Sequence, residues 1–154
     1  MDEQVVAGHD TEAEISTFAA RYPFPLDPFQ VEAIAHLAEG RSVVVAAPTG
    51  TGKTLVAEYA IWCAQRRNQR VIYTTPLKAL SNQKYRDLRA LYGFDAVGLV
   101  TGDIVEHSRA SIVIMTTEVY RNMLLEEGGD RFADGDNIIP ASLADVGYII
   151  FDEL

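Results

Sequence analysis

The sequence predicts an open, doubly wound α/β domain: a mostly parallel sheet with helices packed on both faces. Three observations predict it. Short β-branched runs alternate with longer stretches of helical periodicity over most of the 154 residues. The runs are near-continuous in Val and Ile, as in strands covered on both faces, rather than alternating apolar and polar. A glycine-rich stretch, Ala47–Thr54, joins one such run to one such helix.

The elements follow in order. Residues 1–10 have no periodicity and read as a frayed end. Thr11-Glu12-Ala13-Glu14 matches a capping box ahead of Ile15, Phe18 and Ala19, so a short helix is expected over about 11–20. Tyr22-Pro23-Phe24-Pro25 breaks it, because proline disfavours helix in the residue before it. Asp27-Pro28 pairs an N-cap with a proline at the first helical position, and Gly40 ends that helix. Ser42–Ala47 reads as a buried strand and Lys53–Arg67 as a helix. Arg70–Thr75 is a strand, Lys78–Tyr92 a helix, Val97–Thr101 and Ser111–Thr116 strands, and Glu118–Glu127 a helix. Gly128–Pro140 is Gly/Asp-rich and reads as a surface loop, and Gly147–Asp152 is the last strand. No internal repeat is visible.

Composition narrows the class. With 48% apolar and 23% charged residues, the chain has the profile of a globular protein rather than a disordered one. No apolar run reaches the ~18–20 residues of a membrane helix. The acidic N-terminus does not read as a secretory or transit peptide, and a lone cysteine, Cys63, rules out an intrachain disulfide framework. A cytoplasmic location is expected, with no membrane partner. The net charge of −9 is carried by the ends: residues 1–20 hold −5 and residues 126–154 hold −7, while residues 21–125 hold +3. The acidic ends read as solvated surface, and the middle is compatible with phosphate contact. Cys63 and Trp62 read as packing residues, and His9, His36 and His107 are too scattered for a metal site.

Two segments carry chemistry. In Ala47-Pro48-Thr49-Gly50-Thr51-Gly52-Lys53-Thr54, Gly50 and Gly52 let the backbone wrap phosphate oxygens and turn its N–H groups inward. The helix that follows aims its positive end at the same anion. Lys53 can reach the β- and γ-phosphates of ATP, and the Thr54 hydroxyl can ligate Mg2+. Tyr148-Ile149-Ile150-Phe151-Asp152-Glu153 is an apolar strand ending in two carboxylates, at the sheet edge where open α/β sheets bind ligands. Asp152 is expected to hold Mg2+, and Glu153 to orient and deprotonate the attacking water.

Ala47 stands where the general phosphate loop has its first glycine, and the A-x-x-G-x-G-K-T form is one seen in helicases. With the acidic pair and the segments that follow, the chain from about Tyr22 to Leu154 resembles the first RecA-like domain of superfamily 2 DExH-box helicases, most closely the Ski-like (superkiller/exosome-associated) RNA helicases. Tyr22–Gln30 resembles that group's adenine motif, which implies stacking by Phe24 and edge reading by Gln30. Thr74–Lys84 resembles its motif Ia, which implies nucleic-acid contact around Pro76, Leu77, Lys78 and Asn82. Gly98–Asp103 and Met115–Arg121 resemble the next two strand-contacting motifs, which implies contacts at Thr101, Gly102, Asp103, Thr117 and Arg121. The implied partner is single-stranded nucleic acid, RNA in preference to DNA. A DNA repair helicase of the same superfamily and a nucleotide-binding module without turnover are the alternatives.

The family's pattern continues beyond Glu153 with a small or aromatic residue and His, whereas Leu154 follows here. Its Ser/Thr-Ala-Thr motif and second RecA-like domain, with arginine fingers, are not in the sequence. The expected organisation is an N-terminal tail and short helix over 1–20 and a first RecA-like ATP-binding domain over 21–154. That domain is read as truncated after its acidic pair, marginally stable, and of little or no activity by itself.

Overall fold

The computed structural model describes residues 3–46, 52–126 and 145–152. Pro48, Thr49, Gly50, Thr51, Glu153 and the expected loop over 128–140 lie outside these. The chain divides into two compact units, Met1–Cys63 and Ala64–Leu154. No helix among the described residues is long and apolar enough to cross a membrane.

The first unit is helical. Helix α1 spans Glu3–Ala19, so it starts eight residues before the expected Thr11. Nothing in 3–10 stops it: the stretch holds no proline, and Gly8 costs only about 1 kcal/mol relative to alanine. The Thr11–Glu14 sequence therefore lies inside the helix, where the Thr17 hydroxyl donates to the Ala13 carbonyl at 2.8 Å. Helix α2, Pro28–Ala38, opens as expected with Asp27 extended at the N-cap. It closes with two reverse bonds, Gly40 N–H to Leu37 O at 3.0 Å and Arg41 N–H to His36 O at 2.9 Å. Helix α3 spans Lys53–Arg66. Phe18 lies fully buried with its ring edge-on to Tyr59 (5.1 Å between centroids) and tilted against Trp62 at 5.5 Å. Cys63 is buried and donates to the Glu14 carboxylate at 3.3 Å.

The expected strand over Ser42–Ala47 does not form over its described residues, 42–46. Residues 41–46 have no regular structure and Val44 is 82% exposed. A β-branched run becomes a strand only through hydrogen bonds to a neighbour, and the five-stranded sheet does not include this one.

The second unit is that sheet with its helices: β1 (Arg70–Thr75), α4 (Lys78–Tyr92), β2 (Val97–Val100), β3 (Val105–Glu106), β4 (Ile112–Thr116), α5 (Thr117–Glu126) and β5 (Val146–Phe151). The strand order is β3-β2-β4-β1-β5, parallel except for β3, a two-residue antiparallel return that the sequence did not signal. Register pairs Thr75 with Thr116, Val100 with Met115 and Thr74 with Phe151, so β2, β4, β1 and β5 end at one edge. One face packs Ile72, Val100, Val113 and Met115 against Tyr120 and Met123 of α5. Tyr73 and Thr75 point the other way, where α4 buries Ser81, Tyr85 and Leu88. Strands β1, β2 and β4 are buried on both faces, as expected. Strand β5 alternates half-buried and exposed residues, with Ile149 and Phe151 exposed: it is an edge strand, and an apolar composition does not distinguish an edge from a centre.

Candidate functional site

In the first unit the phosphate loop's last glycine and the base-side motif meet. Gly52 has φ of +87°, and a Cβ there would lie 2.5 Å from the Gln30 amide nitrogen, so both backbone angle and space require glycine. Gln30 reaches across 22 residues: its Nε2 donates to the Gly52 carbonyl at 3.0 Å, and its Oε1 accepts from the Asp27 N–H at 2.8 Å. The side chain is 3% exposed, so it acts as a strap between the start of α2 and the end of the loop. Lys53 and Thr54 follow on the exposed first turn of α3, where unpaired N–H groups favour an anion.

Beside the strap lies a cleft of about 420 Å3, bordered by Tyr22, Phe24, Asp27, Gln30, Gly52 and Glu58. Phe24 is 52% exposed, which leaves ring surface for a flat ligand. Its ring centroid lies 5.6 Å from that of Tyr22, which sits edge-on to Phe18 at 5.3 Å. The Tyr22 hydroxyl donates to the Glu58 carboxylate on α3. Sequence reasoning missed Glu58. Its signal was available: Glu58 stands four residues after Thr54, on the same helix face.

In the second unit the segments expected to contact nucleic acid come together at the shared strand edge. The Thr75 and Ser81 hydroxyls are buried and lie 2.7 Å apart, and with the Leu77 carbonyl, 3.0 and 3.3 Å from them, they form a cluster in which one hydroxyl donates to the other and the second donates to that carbonyl. Thr117, at the first residue of α5, donates its hydroxyl to the Thr75 carbonyl at 3.2 Å. Thr101 is buried and its hydroxyl accepts the N–H groups of Asp103 and Ile104. Thr75 and Thr101 hold the turns from inside, and Thr117 ties α5 to the end of β1 from an exposed position. Pro76, Leu77, Lys78, Gly102, Asp103 and Arg121 stand exposed above them, and Asn82 is half-buried. Lys78 and Asp103 form an ion pair between the first two segments. A Cβ on Gly102 would meet nothing within 4 Å, so the surface there is open.

Asp152 ends β5 at the same edge. Its N–H donates to the Thr74 carbonyl at 3.0 Å, and its Oδ2 accepts the Tyr73 hydroxyl at 2.7 Å. A cleft of about 260 Å3 lies beside it, lined by Thr75, Gln83, Lys84 and Asp87. Tyr73 was not singled out in the sequence, although it stands two residues before Thr75 on the same strand face. Away from this edge, burial and then the Glu106 carboxylate that accepts its hydroxyl raise the Tyr85 pKa above its ordinary 10.0.

Residues 27–154 match the model of the DEAD/DEAH box helicase family. The chain belongs to that family. Family membership implies ATP use, and the five mostly parallel strands flanked by helices are consistent with its RecA-like fold. Among helicases it is similar to the probable helicase HelY of Mycobacterium tuberculosis, 48% identical over 142 residues covering 92% of this chain and 14% of HelY. The antiviral helicase SKI2 of Saccharomyces cerevisiae is 47% identical over 136 residues, 88% of this chain and 10% of SKI2. The ATP-dependent RNA helicase mtr4 of Schizosaccharomyces pombe is 47% identical over 136 residues, 88% of this chain and 11% of mtr4. The chain thus spans between a tenth and a seventh of the length of these relatives.

Proposed function

We propose that the protein is an ATP-dependent RNA helicase of the Ski-like group, and that this chain supplies the nucleotide-binding part of its first RecA-like domain, over residues 21–154. A cytoplasmic location, a second RecA-like domain as partner and weak turnover by this segment alone belong to the same reading. The observation that carries the proposal is the shared edge of β2, β4 and β1. Three segments resembling strand-contacting motifs end there side by side, with exposed polar groups over the buried Thr75, Ser81 and Thr101 hydroxyls. Printed names of relatives such as mtr4 favour RNA over DNA.

In this reading ATP lies with its base against Phe24 and Gln30 and its phosphates in the loop of Pro48, Thr49, Gly50, Thr51 and Gly52. Lys53 neutralises the β- and γ-phosphates. Glu153 orients the attacking water and takes its proton. Thr54 and Asp152 would hold Mg2+. Both offer hard oxygen donors, and the Asp152 carboxylate keeps one oxygen beyond the one bonded to Tyr73. One or two protein oxygens suit an ion that takes its other ligands from phosphates and water. Bound there, Mg2+ supplies charge neutralisation on the phosphates during transfer. Pro76, Leu77, Lys78, Asn82, Thr101, Gly102, Asp103, Thr117 and Arg121 would track the RNA backbone, which positions the strand without reading its sequence.

The test is ATP hydrolysis by the full-length protein with and without single-stranded RNA or DNA. RNA should stimulate it, and Lys53→Ala or Glu153→Gln should lower kcat by roughly 10²-fold or more. Stimulation by DNA alone would point to the DNA repair alternative. Nucleotide binding without turnover, even with RNA, would leave the switch module.

A further inference from the structure

We infer that Tyr73 is a positioning residue for the metal: its hydroxyl holds one oxygen of Asp152 and leaves the other to Mg2+. The inference rests on the reading of Asp152 as a Mg2+ ligand and deepens it. Asp152 follows β5 directly and is half-buried. Two bonds from β1 fix it. Its N–H donates to the Thr74 carbonyl at 3.0 Å, which anchors the backbone. Its Oδ2 accepts the Tyr73 hydroxyl at 2.7 Å, which anchors the side chain. A carboxylate tied at its backbone and at one oxygen presents the other oxygen in one direction, and a ligand oriented in advance binds its metal more tightly.

The hydroxyl is not needed to join the strands. Strands β1 and β5 already pair from Arg70–Val146 to Thr74–Phe151, and the Thr74 hydroxyl adds a bond to the Ile150 carbonyl at 3.1 Å. Val71 and Ile72, just before Tyr73, are buried and apolar. A third apolar residue would fill the strand without bringing in a polar group, and Tyr73, 4% exposed, carries a hydroxyl that burial obliges to find a partner. Register directs it to one. Tyr73 pairs with Ile150, two residues before Asp152, so the two side chains share a face of the sheet. An ionised carboxylate only accepts, so the hydroxyl is the donor. The Lys84 ammonium lies 5.3 Å from the centroid of the Tyr73 ring, and a cation over the ring draws electron density from the phenol, which strengthens its hydroxyl as a donor.

The experiment is binding of the fluorescent, non-hydrolysable analogue mant-AMPPNP to the full-length protein, in saturating Mg2+ and in EDTA. The readout is the gain in affinity that Mg2+ confers. The wild type should show a gain, and Asp152→Asn should remove most of it. Tyr73→Phe should cut the gain by roughly tenfold or abolish it, with the affinity in EDTA kept within about twofold of the wild type. In an Asp152→Asn background Tyr73→Phe should add little, because the two changes act through one carboxylate. Tyr73→Met also lacks the hydroxyl and carries the same prediction if the phenylalanine variant folds poorly. A gain in these variants equal to or larger than that of the wild type, with Asp152→Asn impaired, overturns the inference alone. So does an equal loss of affinity with and without Mg2+, or a loss undiminished in the Asp152→Asn background, since either marks a structural role. No gain in the wild type, or a gain that survives Asp152→Asn, overturns the metal reading of Asp152 and this inference with it.

Discussion

The two units use their polar residues in opposite ways. In the first, the polar side chains beside the cleft are already engaged: Gln30 binds Asp27 and Gly52, and Tyr22 binds Glu58. In the second, the bracing groups are buried and the groups proposed to contact nucleic acid are exposed. Thr75, Ser81 and Thr101 satisfy one another or the backbone below, while Lys78, Asp103 and Arg121 stand in solvent. The difference fits what each of the two proposed partners would demand. A nucleobase is small and must be told from others, so its pocket is held rigid before it arrives. A nucleic-acid backbone is long and uniform, so an open row of donors over a stiff edge is enough.

The largest break in that contrast should come from Gln30→Ala. It removes the Asp27 cap partner and the Gly52 tether at once. Thermal or denaturant unfolding should show a loss of about 1–2 kcal/mol, and ADP affinity should fall by roughly tenfold. Unchanged stability with unchanged affinity would mean that the strap holds nothing.

A smaller effect is expected at Lys78 and Asp103. Their ion pair is exposed and adds little to stability. Lys78→Ala should leave unfolding unchanged and make log K for RNA less steep in log salt, by about 0.7. Asp103→Asn frees the lysine and removes a negative charge, so RNA should bind a few-fold tighter at low salt. Weaker binding by Asp103→Asn would assign Asp103 a direct role.

The smallest effect is a pH dependence away from both sites. The Tyr85 pKa is raised in the folded state, first by burial and then by Glu106. Its contribution is complete below the ordinary value of 10.0 and is lost as pH rises through the higher folded value. Unfolding measured between about pH 9 and pH 11 should show stability falling with pH, and Tyr85→Phe should flatten that slope.

Legibility followed the same divide. Strand β1 and helix α4 fall where the sequence placed them, because Pro76 separates them and Gly93 ends the helix. The edge formed by Thr75, Thr101 and Thr117 followed from three strand ends in the right order. What the sequence hid depends on partners distant along the chain. Ser42–Ala47 has the composition of a strand, but composition does not show whether a neighbour pairs with it. The two residues of β3 are too few for periodicity to register. The strap from Gln30 to Gly52 and the bond from Tyr73 to Asp152 join residues 22 and 79 apart, and no local pattern encodes them. Gln30 itself was legible as a polar residue of interest. That it holds backbone in place was not.

The central claim is that this edge and this pocket belong to one ATP-driven RNA motor. The most direct measurement is strand displacement by the full-length protein on an RNA duplex carrying a single-stranded overhang. The account predicts unwinding that requires ATP and disappears in Lys53→Ala. Unwinding that proceeds without ATP or survives Lys53→Ala, or none under conditions where the protein hydrolyses ATP and binds RNA, would contradict it.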